Sequence, residues 1–361
     1  MKLKKDIFSE GLTKPTENEI KKASYSLAMF SANIKRFMPN IPKSEYIQMY
    51  KDVFYYQNLS SKEQYDQEYL IKNRIINHSS IDIKDININT PTIFATFHLG
   101  AYRLLNCYLY EQGYKIALII DESVFMSQQE EMLRVCREVL KGKDTSDMVI
   151  LNVKDRTSIF KLKQLIEKGY VMTVYLDGNT GVNVTNQDFS KGYISIPFLE
   201  SNIFVKNGVG KLASLLEAQF IPVVSYRDKN DVNCMEFFKE IQTDDFVTKQ
   251  EFSIKTIEIA YQKLEEKLLE HPTQWECWLY IHKWFMRDVT SPYRNTENVC
   301  SYFNSDRYTT FLLGETPFLF DLIDYQSYPI DNDLFEAISK NNFQKIDSNL
   351  LEELTKKNII I

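Results

Sequence analysis

Apolar residues recur along this chain on two different periods. In ENEIKKASYSLAMFSANIKRFM, Ile20, Ala23, Leu27, Phe30 and Ile34 fall three or four residues apart, which places them on one stripe of a helix. A second segment, SEYIQMYKDVFYYQNL, follows Pro42 with Ser44 placed to cap it, and its stripe of Tyr, Met and Phe suits a core. Residues 1–88 therefore read as a helical region that packs as an arm or lid, with the polar stretch at 77–89 as a boundary. From Pro91 onward short β-branched runs alternate with helical ones, the pattern of a layered α/β domain. Strands are expected at 92–97, 115–121, 148–153, 170–177, 193–198 and 220–227, and helices at 100–112, 125–141, 156–168, 204–218, 252–270 and 272–285.

After about residue 290 the texture changes again. A polar link, SPYRNTENVCSYFNSDRY, leads into two strand-like runs, TTFLLG and FLFDLI. Two short helical segments follow, one capped by Asp331 or Asn332 and one by Asp347 or Ser348, and 359–361 has the make-up of a closing strand. The expected organisation is thus a helical region at 1–88, an α/β domain at 89–290 and a small winged-helix-like module at 300–361.

Composition narrows the function classes. At 361 residues, 44% hydrophobic and 25% charged, the chain is an ordinary globular protein, neither disordered nor fibrous. Only 11 glycines and 10 prolines argue against a turn-dense all-β architecture. A net charge of -6 does not suggest a nucleic-acid binder, which needs a surplus of phosphate-neutralising cations. Cys107, Cys136, Cys234, Cys277 and Cys300 are odd in number and widely spaced with no C-x-x-C pair, so neither a disulfide scaffold nor a zinc site is expected. The basic N-terminus lacks the apolar core of a cleavable signal, and no window approaches the roughly 20 apolar residues that span a bilayer. The expected location is cytoplasmic, with peripheral contact at a membrane as the variant.

Candidate chemistry begins at His98, which TIFATF delivers at the C-terminal end of a strand, ahead of LGAYR and a helix. That end of an open α/β sheet is where catalytic groups are displayed. A histidine there can take a proton from a hydroxyl or amine and direct it at a carbonyl carbon, although taken alone it equally ends a strand. Arg156 opens a helix and offers fixed, permanently charged donors, whereas Asp177 ends an apolar strand beside Gly178 and suits a turn as well as a site. NGVGKLAS is not a phosphate loop, because Val205 stands where the first glycine is needed.

The ordered blocks tell more together. HLGAYR, DRTSIFKLKQLIEKG, YVMTVYLDGNTG, SIPF, KNGVGKLASLLEAQF and HPTQWECWLYIHKWF, across about 90–288, resemble the lysophospholipid acyltransferase superfamily, in particular its lipid A late acyltransferase (lauroyl/myristoyl) branch. The resemblance implies a layered acyltransferase-type α/β domain in which His98 is the catalytic histidine, Arg156 the basic residue, and Asp177 with Gly178 the acidic turn. It also matches Pro197 and Phe198 to the next block, and Pro272, Gln274, Trp275, Trp278 and His282 to the closing one. The implied cosubstrate is an acyl thioester, acyl carrier protein (acyl-ACP) or acyl-CoA, with no bound cofactor and no metal. His98 would deprotonate the acceptor, Arg156 and amides near Gly178 would hold the oxyanion, and the helices at 204–218 and 272–285 would wall the acyl chain.

Two departures stand out. The family pattern is a histidine, four residues and then a carboxylate, but here Arg103 occupies the carboxylate's place. Either Asp121 or Asp177 reaches His98 instead, or Arg103 binds an anionic donor such as a phosphopantetheine or CoA phosphate, or the chain is inactive; an arginine there is expected to depress the histidine's basicity. The N-terminal membrane helix of lipid A enzymes is also missing. The tail from about 306 resembles winged-helix modules that bind the leaders of ribosomally made peptides as an added strand, which implies a precursor peptide as partner and acceptor. The sequence thus points to transfer of a fatty acyl group to a hydroxyl or amine. The alternatives are a glycolipid or phospholipid acyltransferase working peripherally at a membrane, or an inactive homologue that binds an acyl chain or peptide.

Overall fold

The computed structural model describes residues 13–16, 18–19, 23–66, 75–79, 81–87, 89–139, 147–152, 155, 157–178, 192–286 and 302–361. Arg156, Ile20 and residues 291–301 of the polar link lie outside the described residues. The chain divides into two compact units. One comprises Asp52–Phe198 and Asn202–Cys277, and the other Thr13–Lys51, Leu199–Ser201 and Trp278–Ile361.

The first unit is built on a seven-stranded sheet. Its strands are β1 (Ile75–Asn77), β2 (Thr92–Thr96), β3 (Lys115–Ile120), β4 (Met148–Asn152), β5 (Tyr170–Tyr175), β8 (Gln219–Arg227) and β9 (Asn233–Phe237), in the order β1-β9-β8-β2-β5-β3-β4. All neighbours are parallel except β8 and β9, which pair antiparallel. Every residue of β2 and of β8 is buried, as expected of strands covered on both faces, and this is why they read as continuous apolar runs. Phe94 of β2 joins a cluster with Leu105 and Leu109 of the helix Leu105–Glu111, whereas Phe97 just beyond β2 packs on Tyr261 of the helix Lys249–Glu270. That long helix also lies against Gly208–Leu216, where a Cβ at Gly210 would meet the Ser253 carbonyl at 2.0 Å.

Strands expected at 92–97, 115–121, 148–153, 170–177, 193–198 and 220–227 all form within two residues of those limits, apart from position 153, which is outside the described residues. The helix expected over 204–218 is corrected. Residues Ser201–Lys206 form β7, a hairpin partner of β6 (Tyr193–Phe198), and the helix starts only at Gly208. The reason is a period of two, with Ile203 and Val205 buried between exposed Asn202 and Lys206, and a turn at Leu199, whose φ is +50°. The helix expected over 272–285 is instead three 3₁₀ turns, Pro272–Gln274, Glu276–Leu279 and Ile281–Lys283. A strand, Ile75–Asn77, stands within the region read as helical.

In the second unit, Ser24–Phe37 is helical and buries Phe30 and Ile34 of the expected stripe. The next helix, Tyr46–Glu63, of which the residues up to Lys51 belong to this unit, is preceded by a 3₁₀ turn that contains Ser44, so Pro42 and not Ser44 stands at its entry. Further on, β10 (Tyr308–Leu313), β11 (Thr316–Asp321) and β12 (Ser327–Pro329) make a small antiparallel sheet, followed by helices Asn332–Lys340 and Ser348–Lys356. Asp331 and Asp347 cap those helices through their carboxylates, and Ile360 bridges Phe303. Tyr25 of the first helix packs on Phe311 of β10 at 5.2 Å between ring centroids.

Candidate active site

The pairing of β2 with β5 builds the site. Thr96 and Tyr175 are register partners, and the Leu176 amide donates to the Thr96 carbonyl at 2.9 Å, so the ladder runs on past both strands. Two residues further along each chain, His98 and Asp177 arrive opposite one another. The Asp177 carboxylate lies 2.7 Å from His98 Nδ1 and also accepts the His98 backbone N–H at 2.9 and 3.1 Å. An acid 79 residues on, from the adjacent strand, reaches the imidazole, as the first of the three readings of Arg103 expects.

Asp177 is almost wholly buried and fully engaged. Besides His98, its Oδ2 accepts from Trp275 Nε1 at 2.8 Å and from the Cys277 thiol at 3.2 Å. Burial by itself would push this carboxyl up, but the imidazole, Trp275 and the His98 amide together hold it below the usual aspartate range. Burial likewise works against charge on His98, yet Asp177, and to a lesser degree Glu276, outweigh it, so the imidazole is raised above its ordinary value. The depressed basicity expected from Arg103 is therefore corrected: its charge acts in that direction but ranks last among the contributions. Because an ionised carboxylate only accepts, Nδ1 carries the proton and Nε2 carries the lone pair.

Around the imidazole stand two tyrosines, Tyr102 and Tyr175, with ring centroids 4.6 and 5.0 Å away. Burial raises both phenols, so each stays a hydrogen-bond donor across neutral pH. Arg103 lies with its guanidinium 4.4 Å over the Tyr102 ring, donates to Ser60 Oγ at 3.1 Å, and pairs with Glu276 Oε1 at 3.3 Å. The His98 side chain is 22% exposed and Arg103 25%, so the site opens to solvent on this side.

The segment 274–277 holds the loop bearing His98. Gly100 donates to the Gln274 carbonyl at 3.1 Å, Leu99 bridges Trp275, and the Glu276 amide donates to the His98 carbonyl at 3.2 Å. The Gln274 side chain in turn pairs with both the N–H and the C=O of Arg227, at 2.8 and 2.9 Å. Gly100 has φ +57°, and a Cβ there would lie 2.7 Å from Tyr226 Cα, so only glycine fits between the loop and β8.

The other sequence-predicted residues take different places. Gly178 directly follows Asp177 and is half-buried. Phe198 packs on Trp275 at 5.5 Å and so lies behind Asp177, while Pro197 beside it is exposed. Trp278 and His282 belong to the second unit, where Asn33 Nδ2 donates to the Trp278 carbonyl at 2.7 Å and sits 3.3 Å from His282 Nδ1. Arg156 is outside the described residues. Asp121, the other candidate acid, is 3.9 Å from Lys206 Nζ. Sequence reading missed Glu276, Tyr102 and Tyr175. Strand alternation places Tyr175 on the same face as Asp177, which was a usable signal; Glu276 was hidden between two tryptophans in QWECW.

Among the described residues, donor atoms of His98, Asp177 and Cys277 lie within 4.8 Å of one another, a grouping that invites comparison with a metal centre. The donor set does not fit one, because both Asp177 oxygens already accept N–H and S–H donors. No helix among the described residues is long and apolar enough to cross a membrane.

No family model and no curated protein matches the chain. Among solved structures it is similar to the 1-acyl-sn-glycerophosphate (LPA) acyltransferase PlsC from Thermotoga maritima, with 10% identity and a TM-score of 0.33 over 69% of this chain and 97% of that one.

Proposed function

We propose that the chain is an acyltransferase in which His98 is the general base and Asp177 its partner. The observation that carries this is the 2.7 Å contact between His98 Nδ1 and Asp177 Oδ1, which fixes the tautomer and leaves Nε2 to accept a proton. In the cycle, Nε2 takes the proton of a hydroxyl or amine as its oxygen or nitrogen bonds to the thioester carbonyl carbon. The carbon–sulfur bond then breaks, and the imidazolium returns the proton to the leaving thiolate. Asp177 stabilises the imidazolium throughout. Arg156 and amides near Gly178 are assigned to the oxyanion on the resemblance.

The donor is an acyl-ACP or acyl-CoA thioester, neither of which needs a resident cofactor. For the acceptor, a precursor peptide is favoured by β12, whose three residues are all exposed at one end of the small sheet, as strand addition requires. A bilayer glycolipid or phospholipid is the alternative acceptor. The intact His98–Asp177 pair speaks against an inactive binding protein. The test is release of free thiol from acyl-ACP and acyl-CoA, followed with the full chain and with His98→Ala. Thiol release by the native chain that is lost in the variant supports the reading; turnover kept by the variant overturns it.

A further inference from the structure

We propose that Glu276 and Arg103 form a positioning pair that sets the charge around His98, replacing the single carboxylate of the family pattern by a neutral pair and leaving Asp177 as the one net negative charge. This deepens the reading of His98 as the base and rests on it. Glu276 is fixed beside the imidazole by its backbone, since its amide donates to the His98 carbonyl at 3.2 Å within the clamp made by Leu99 and Trp275. Arg103 comes from the 3₁₀ turn Tyr102–Leu104 that follows His98. The two side chains meet at 3.3 Å, and Gln57 Nε2 supports the Glu276 carboxylate at 3.3 Å from a third direction. Glu276 is 8% exposed, so its charge is screened little.

An unmatched arginine this close would cancel Asp177 and disfavour the imidazolium that must form during proton transfer. With Glu276 present, the imidazole faces the same net charge that a lone carboxylate partner would supply. Among the described residues, the charged and titratable groups around it are Asp177 and Tyr175 from the end of β5, Tyr102 and Arg103 from its own turn, and Glu276 and Cys277 from the closing segment. Glu276 raises and Arg103 lowers the proton affinity of His98, in line with this assignment.

The test is an NMR titration of the imidazoles in the full chain. There are four histidines, and the His98 signal is identified by its loss in His98→Ala. In Glu276→Gln the His98 midpoint is expected to move down, in Arg103→Met to move up, and in the double variant to return close to the native value. Arg103→Lys keeps the charge and should leave the midpoint near native, which separates charge from lost packing on Tyr102. Midpoints that stay put in both single variants, or move in the same direction, overturn the proposal. If the cycle of shifts holds while no thioester is ever turned over, the acyltransferase reading fails and the charge pair stands. If turnover needs His98 but the titration is flat, the charge pair alone fails.

Discussion

At the scale of single residues, the site depends on a carboxylate that cannot be found by counting along the motif. Asp177 replaces a partner expected five positions after His98 and is supplied through strand pairing. Its effect on pH dependence has a defined sign. Because His98 is raised, the neutral base is lost as pH falls through a value above the ordinary histidine pKa of ~6.5, so kcat/KM should decline on the acid side from a midpoint above that value. A pH–rate profile checks this. The folded state gains from the raised His98 at pH values below its titration and loses that gain as pH rises through it. It gains from the lowered Asp177 above that group's ordinary pKa and loses the gain as pH falls through the depressed one. A second residue-scale pair, Arg227 with Glu63, is buried at 1% and 6% side-chain exposure. Glu63→Ala strands the guanidinium and should cost about 3–5 kcal/mol in denaturant unfolding.

At the scale of elements, the loop from His98 to Gly100 is held by close backbone approach as much as by hydrogen bonds. Gly100→Ala combines a left-handed φ of +57° with a 2.7 Å clash against Tyr226. It should lower stability by more than about 1 kcal/mol and reduce turnover together, as thermal melting and a thioester assay would report. Most of this layer was legible in the sequence. The β-branched runs predicted six strands, of which β2 and β8, buried on both faces, leave an unbroken apolar trace, and His98 was placed correctly at a strand end. What was not legible had physical causes. The second half of SNIFVK, Phe204–Lys206, was absorbed into a helix because it adjoins a strongly helical run, and β9 was missed because Asn233 and Glu236 interrupt its apolar pattern. Asp177 was one of two acids expected to reach His98, but choosing it over Asp121 needed strand order, which one strand's sequence does not carry, and Glu276 has no periodic signature inside a run of 3₁₀ turns.

At the scale of the whole molecule, residues distant in sequence share one unit. The helix Ser24–Phe37 and the C-terminal sheet meet through Tyr25, Phe311 and Phe320, and the Ser24 hydroxyl bonds both the amide and the carbonyl of Leu312. Arg36 also lies 4.0 Å over the Phe285 ring. Removing residues 302–361 would therefore uncover apolar surface on the first helix. A chain ending at Met286 should melt lower and bind hydrophobic dyes more strongly than the full chain; an unchanged melt would show that the tail is energetically independent.

The central claim, that Asp177 serves as the partner of His98, is tested most directly by the kcat/KM for acyl transfer of Asp177→Asn beside the native chain. The amide keeps the shape of the side chain but cannot stabilise an imidazolium. A loss of at least about 100-fold in a variant with a native circular dichroism spectrum is expected. A value within a factor of about two of native would contradict the account, because general-base catalysis supported by that carboxylate is worth far more.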